Sequence, residues 1–333
     1  YARREGVQVS SGGGQGTAVE LRMVRQIDER LAGMTRGAGA ELGSANVTGE
    51  ILGGYLLTLG QPGDEISPAA RMAEFQVGLD LLANNPSDAS VQNDVLQRAN
   101  SLVNSLNSAA SALDRSRAQA ADSFETSVAQ VNDALSGIAA LNKQLRGANS
   151  GTSGAGGLMD EMTRRLDALG EQMDFQTRWE ADGTLTLHTA GGTELVNGND
   201  AAKLTANGQT GALYADGINI TPGQTGGRGF TSGRLAGLSD MLSSVIPQMN
   251  LQLDELARGL VQSFEAADTS IAVGDPGLFT DSGAAFDPAN IDGLAGRLAV
   301  NDSVQPEKGG ALWRLRDGVG AVTAGDSGAT DQT

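Results

Sequence analysis

The stretch "LANNPSDASVQNDVLQRANSLVNSLN", Leu82 to Asn107, decides how this chain folds. Asn84, Asn85, Pro86, Ser87 and Asp88 make a polar corner, with apolar residues at helical spacing on either side. Pro86 halts the incoming helix, because the residue before a proline avoids the helical region. Ser87 or Asp88 then offers a side-chain oxygen to the first free amides of the next helix. Beyond the corner, Val95, Ala99, Leu102, Leu106, Ala109 and Leu113 recur in alternating steps of four and three. Phe124, Val128, Val131, Leu135 and Ile138 continue the series. This is a coiled-coil-type seam, for which Leu102, Leu106, Leu113, Val128, Val131 and Leu135 are the candidate residues. No proline and a single glycine interrupt residues 88–146. The spacing therefore predicts one helix of roughly 58 residues, on the order of 85 Å long. Such a helix points to a rod.

Working outward, Val24, Ile27, Leu31 and Met34 predict an earlier helix, glycine-studded from Gly37 to Gly54. Upstream of it, Val19, Leu21 and Met23 alternate as an extended segment would, while Thr17 with Glu20 fits a capping box, so both readings stand. "QPGDEISP" separates this helix from a short one beginning at Pro68. Gly147 is placed as a left-handed C-cap of the long helix. Leu158, Met162, Leu166, Leu169 and Met173 then mark a shorter amphipathic helix. Residues 175–230 change character: Asp182-Gly183 is a hairpin signal, followed by short alternating runs between glycine-rich turns. From Gly233 the pattern is helical again, with Leu235, Leu238, Leu242, Val245, Met249, Leu256, Leu260 and Phe264 on one face and a kink at Pro247. The tail from Ser270 has weak helical signals at Ile291–Leu298 and Ala311–Asp317.

The fold class is α+β, mainly α: an elongated helical-bundle or coiled-coil rod with one small β-rich domain inserted between rod helices. The expected divisions are 1–16, a remnant of an N-terminal terminal segment; 17–174 with 231–333, the helical rod; and 175–230, the β-rich insertion.

Composition narrows the function. A formal charge of −17, with no basic stripe to offset it, argues against nucleic acid. No apolar run approaches the ~18 residues of a membrane span. There is no cysteine, and His188 is the single histidine, so thiolate and two-histidine metal sites and a convincing Ser–His–Asp triad are excluded. "GGRG" at Gly226–Gly229 fits a connecting turn better than an anion site. No paired carboxylates stand out, and neither catalytic, cofactor nor metal residues are assigned. The aromatics Phe175, Trp179 and Tyr214 fall in the β-rich segment and are its candidate surface residues.

The corner and long helix resemble the motif that opens the long helix of the flagellar hook-associated protein 1 family. Other segments fall in that family's order: "YARRE" at Tyr1–Glu5, "VRQIDERLAGMTRGAGAEL", "VNDALSGIAALNKQL", "LMDEMTRRLDALGEQMDF" in altered form, and "SGRLAGLSDMLSSVIPQMNLQLDELARGLVQSFEA". The resemblance covers nearly the whole chain, and its specificity lies in the order of the segments. It implies a secreted structural protein of the bacterial flagellum, without catalysis, joining hook to filament by self-assembly and axial packing. The implied partners are the hook protein, the second hook-associated junction protein, copies of itself and an export chaperone. It also implies that both polymerising ends are trimmed from this chain. The region from Ser270 to Ala289 is short for the additional domain many members carry, so one β domain is expected rather than two. For the Asn84–Asp88 corner two readings stand, a structural cap and nothing more, or a cap that also touches an axial neighbour. Alternatives are another axial protein of the flagellum, such as the second junction protein or a flagellin-like chain, or a surface adhesin acting through the β segment.

Overall fold

The computed structural model describes residues 2–11, 18–27, 29–60, 64–147, 153–224 and 226–325. The chain divides into two compact units, Tyr1–Glu50 with Gln119–Ser244, and Ile51–Ala118 with Val245–Thr333. This division differs from the expected one, because the β-rich segment shares a unit with helices rather than standing alone.

In the first unit, β1 (Ala2–Ser11) and β2 (Ala18–Ile27) pair antiparallel, so the extended reading of Val19, Leu21 and Met23 is the one adopted. Val24 and Ile27, expected in the helix, belong to β2, and helix α1 (Glu29–Leu59) starts only at Glu29. Residues 1–16 and 17–27 were expected to be a terminal remnant and the start of the rod; ten residues of each pair as one hairpin instead. Thr17 lies outside the described residues.

The glycines of α1 serve one close approach. A Cβ at Gly43 would lie 2.5 Å from the Glu171 carbonyl oxygen, whereas Gly33, Gly37, Gly39 and Gly49 face open space. Arg234 reinforces this contact, donating from both terminal nitrogens to the Glu50 carboxylate at 2.6 and 2.8 Å. Helix α4 (Ser153–Gln172) buries Met162, Leu166 and Leu169, and Met173 is buried just past its end.

Two small antiparallel sheets follow. The first has the order β3 (Phe175–Trp179), β4 (Leu185–Thr189), β5 (Glu194–Asn197), β6 (Asp200–Ala201). The second has β7 (Leu204–Asn207), β8 (Ala212–Ala215), β9 (Ile218–Asn219). The Asp182-Gly183 turn closes the first hairpin, with Gly183 at φ +80 and Trp179 opposite Leu185. Asp216 and Gly217 both take positive φ, which two-residue hairpin turns require.

The long helix is α3 (Ala89–Gly147), 59 residues without interruption. It holds both sheets through two asparagines. Asn142 donates to the carbonyls of Leu185 and Gly198 and accepts from the Leu185 amide, all at 2.8 Å. Ten residues earlier, Asn132 donates to the Leu204 carbonyl at 2.9 Å and accepts from its amide at 2.7 Å. A side-chain amide has one donor edge and one acceptor edge, so each asparagine acts as a strand neighbour where β4 and β7 begin. Asn142 is fully buried, and losing it would strand backbone groups at about 1–3 kcal/mol each. This is why the β segment is not a separate domain. Gly147 ends α3 without a left-handed φ, unlike the expected cap.

In the second unit, α2 (Pro68–Asn84) folds back on α3. Ser67 caps its start by accepting from the Ala70 amide, and Pro68 occupies the first turn, where its missing N–H costs nothing. Gly78 lets the two helices meet: a Cβ there would lie 2.7 Å from Arg98 Cδ. The return segment begins in the first unit with α5 (Arg234–Asp240), runs through a π turn over Met241–Val245, and enters the second unit as α6 (Ile246–Ala267). The break expected at Pro247 thus becomes a widened turn that takes in the missing N–H. That extra residue moves burial from Val245, expected inside and half-buried, to Ile246, while the edge of α6's own face accounts for a second difference. Leu256, expected inside, is exposed, and Leu253, Ala257 and Val261 are buried with Leu260.

The tail joins this core. β10 (Phe279–Asp281) pairs with β11 (Leu298–Val300), with the single turns α7 (Leu294–Arg297) and α8 (Arg314–Asp317) around them. Phe279 packs edge-on against Phe75 and Phe264, with ring centroids 5.6 and 5.1 Å apart. The tail strands were not expected, and they are part of the helical core rather than a second β domain.

All six candidate seam residues are buried, Leu102, Leu106 and Leu113 in the second unit's core and Val128, Val131 and Leu135 in the first unit. Leu106→Ala should therefore lower stability by about 2–5 kcal/mol. Leu57→Ala, on an exposed side chain, should stay within about 0.5 kcal/mol of the parent. Thermal melting followed by circular dichroism reads both.

Candidate functional site

The corner between α2 and α3 is closed by its own polar groups. The Asn85 amide donates to the Leu81 and Leu82 carbonyls, and the Asn84 side chain donates to the Asp80 carbonyl at 2.7 Å. These bonds satisfy carbonyls that the end of α2 leaves free. The Asp88 amide turns back to the Asn85 carbonyl at 3.2 Å. Of the two capping candidates, Asp88 takes the role: its Oδ1 accepts from the Ser90 amide at 2.8 Å and the Ser90 hydroxyl at 2.6 Å. Those bonds, the hydroxyl's first, hold its carboxyl below the usual carboxylate range. Buried Gln92 donates to the Pro86 carbonyl at 2.8 Å and fixes the proline from inside.

Ser87 is bound elsewhere. Its hydroxyl accepts from Arg316 Nη1 at 3.2 Å, and the same guanidinium pairs with Asp317. Neither Arg316 nor Gln92 could be assigned to the corner from sequence. Arg316 lies 229 positions from Ser87, and Gln92 reads as an ordinary helix-surface residue. Asn84, Asn85, Ser87 and Asp88 remain exposed and Pro86 half-buried, so the structure brings all five candidates together on one rigid turn.

The three aromatics are not so gathered. Phe175 and Trp179 lie on β3 and Tyr214 on β8, in different sheets. All three are half-buried, and the Trp179 indole donates to Glu29 at the start of α1 at 2.9 Å. They do not line a common sheet surface.

A cleft of about 430 Å³ in the second unit is lined by Asp114, Arg117, Asn250, Asp254 and Asp292 among others. Asp254 is already committed, accepting from the Gly293 and Ala295 amides at 2.8 Å each. Among the described residues, no group of three or more His, Cys, Asp or Glu could hold a metal ion. The "GGRG" segment is a connection, as its sequence predicts: the Arg228 carbonyl accepts from the Thr189 and Thr193 hydroxyls. No helix of the described residues is long and apolar enough to cross a membrane.

Comparison with known proteins bears on this geometry. Residues 58–271, from the end of α1 through α6, match the family model described as the flagellar hook-associated protein FlgK helical domain. The chain belongs to the flagellar hook-associated protein 1 family. It is 24% identical over 239 residues to flagellar hook-associated protein 1 of Escherichia coli (strain K12), covering 65% of this chain and 43% of that one. It is 25% identical over 267 residues to flagellar hook-associated protein 1 of Bacillus subtilis (strain 168), covering 71% and 52%. Its fold resembles the flagellar hook junction protein FlgK from Burkholderia pseudomallei, with a TM-score of 0.59 and 22% identity over 75% of this chain and 46% of that one. The chain spans about half the length of these relatives. The mainly α fold with a small antiparallel part is the one this family has.

The depressed Asp88 pKa has a consequence for α3. A carboxylate whose folded pKa is lowered contributes stability above its ordinary range and loses it as pH falls through the folded value. Protection of the Ser90 and Val91 amides against hydrogen exchange should therefore fall as the solution is acidified below the ordinary aspartate range. Asp88→Asn, which caps without a charge, should hold protection constant, and Asp88→Ala should lack it throughout.

Proposed function

We propose that this chain is a non-catalytic structural component of the bacterial flagellum, acting extracellularly where hook meets filament. The family match over residues 58–271 carries this reading. That span contains the α2–α3 corner, the asparagine-held sheets and the return through α5 and α6. Buried side chains in these elements are engaged in packing and in backbone hydrogen bonds, as a subunit transmitting force without turnover requires. Its partners on this reading are the hook protein, the second hook-associated junction protein and copies of itself, with a chaperone holding it before export. The Asn84–Asp88 corner is an axial contact: a turn fixed at both ends by capping bonds offers polar groups at little ordering cost.

Deleting the gene in the source bacterium and restoring the full-length protein tests this. Deletion cells should build hooks, shed filament subunits into the medium and stop swimming, and the restored protein should return filaments. Cells that keep attached filaments after deletion would overturn the junction role.

A further inference from the structure

The corner has one anchor from elsewhere in the chain. Asn85 closes the end of α2, Asp88 opens α3, and Gln92 of α3 holds the Pro86 carbonyl at 2.8 Å. Among the described residues, one hydrogen bond reaches residues 84–88 from outside these two helices, that of Arg316 Nη1 to the Ser87 hydroxyl at 3.2 Å.

Arg316 is aimed by what surrounds it. Its Nε and Nη2 donate to the two oxygens of Asp317 at 2.5 and 2.6 Å, which leaves Nη1 for Ser87. Asp317 is buried, and its Oδ2 also accepts from the Gly325 amide at 2.8 Å. The peptide that follows is fixed in its turn. Gly318 has φ +101, and a Cβ there would lie 2.6 Å from Asp268 Oδ1. The Val319 amide donates to buried Asp268, just past α6, at 2.9 Å, and the Gly320 amide donates to the Ser270 hydroxyl at 3.0 Å. The neighbouring guanidinium, Arg314, is taken by the Val319 carbonyl at 3.1 Å and lies over the Trp313 ring. A planar fork with two bonds committed to a buried carboxylate has its remaining donors pointed by the first two, and one of them ends on the corner.

We propose that Arg316 is a positioning residue for the axial contact: with Asp317 it carries the fixed end of α6 across to Ser87 and holds the corner in the conformation its partner meets. A turn held beforehand loses less freedom on docking. Lysine cannot take the place, since a point charge on a flexible stem makes neither the paired bonds to Asp317 nor a directed third. This inference rests on the junction reading and names the residue that sets one of its contacts.

Hydrogen exchange on the full-length protein, with filament counts in the deletion strain that carries it, tests this. Ser87→Ala and Arg316→Lys should each speed exchange of the Asp88 and Ser90 amides about five-fold, as the loss of one modest hydrogen bond implies. The Val261 amide, in the core of α6, should keep the parental rate. The double variant should exchange no faster than either single one, because both remove the same bond. Each single variant should also lower the number of filament-bearing cells. Arg258→Lys, whose partner Glu255 lies on the same helix, should keep parental exchange and parental filaments. Parental exchange at the corner in Arg316→Lys, or additive effects in the double variant, would overturn the coupling. Faster exchange with parental filament numbers would overturn its part in the contact. Both results leave the junction reading intact; that reading fails separately if the unsubstituted protein does not restore filaments.

Discussion

A helix of 59 residues cannot bury its own apolar stripe, and both units are organised by that constraint. In the second unit, α2, α6 and the tail supply the covering surface over Leu102, Leu106 and Leu113. In the first, α4 and the sheets contribute to the unit that buries Val128, Val131 and Leu135. Apolar cover alone leaves strand ends with open amides and carbonyls, and Asn132 and Asn142 meet that need from the helix itself. The same helix therefore serves as a hydrophobic wall and as a hydrogen-bonding edge.

Polar side chains repeat this second task across the fold. Asp254 receives the start of α7, Asp268 binds the last loop, and Asp88 begins α3. Each is a carboxylate set against backbone amides, which suits a chain rich in acid and poor in aromatics. With few large rings to fill space, this protein relies on aliphatic seams for burial and on such clamps for register. Phe75, Phe264 and Phe279 are the exception, a ring cluster that anchors the tail strand to α2 and α6.

Sequence made the long helix legible because its spacing is regular and Pro86 and Asp88 bound its start. The β3–β4 hairpin was legible as well, since Gly183 supplies the positive φ that its connecting loop needs. The return helix was misread at Val245, because a π turn shifts a periodicity that counting assumes constant, and at Leu256, which lies at the edge of the face that Leu253, Ala257 and Leu260 bury. Asn132 and Asn142 were passed over: an asparagine in a helix reads as solvated surface until a strand end is placed against it. The N-terminal hairpin was left undecided between two signals, and the tail's strands are too short for alternation to show. At the corner, the capping residues were readable and the Arg316 tether was not, since no local pattern reports a contact 229 positions away.

The continuity of α3 is the claim on which the rest depends, and a distance within it is the direct measure. Asn104 and Lys143 are exposed on that helix, and the chain's lack of cysteine allows spin labels at these two positions alone. Pulsed electron resonance on Asn104→Cys with Lys143→Cys should give one narrow distribution near 58 Å, about 39 residues of helical rise. A broad distribution, or a peak below about 40 Å, would mean the helix is broken and contradict this account.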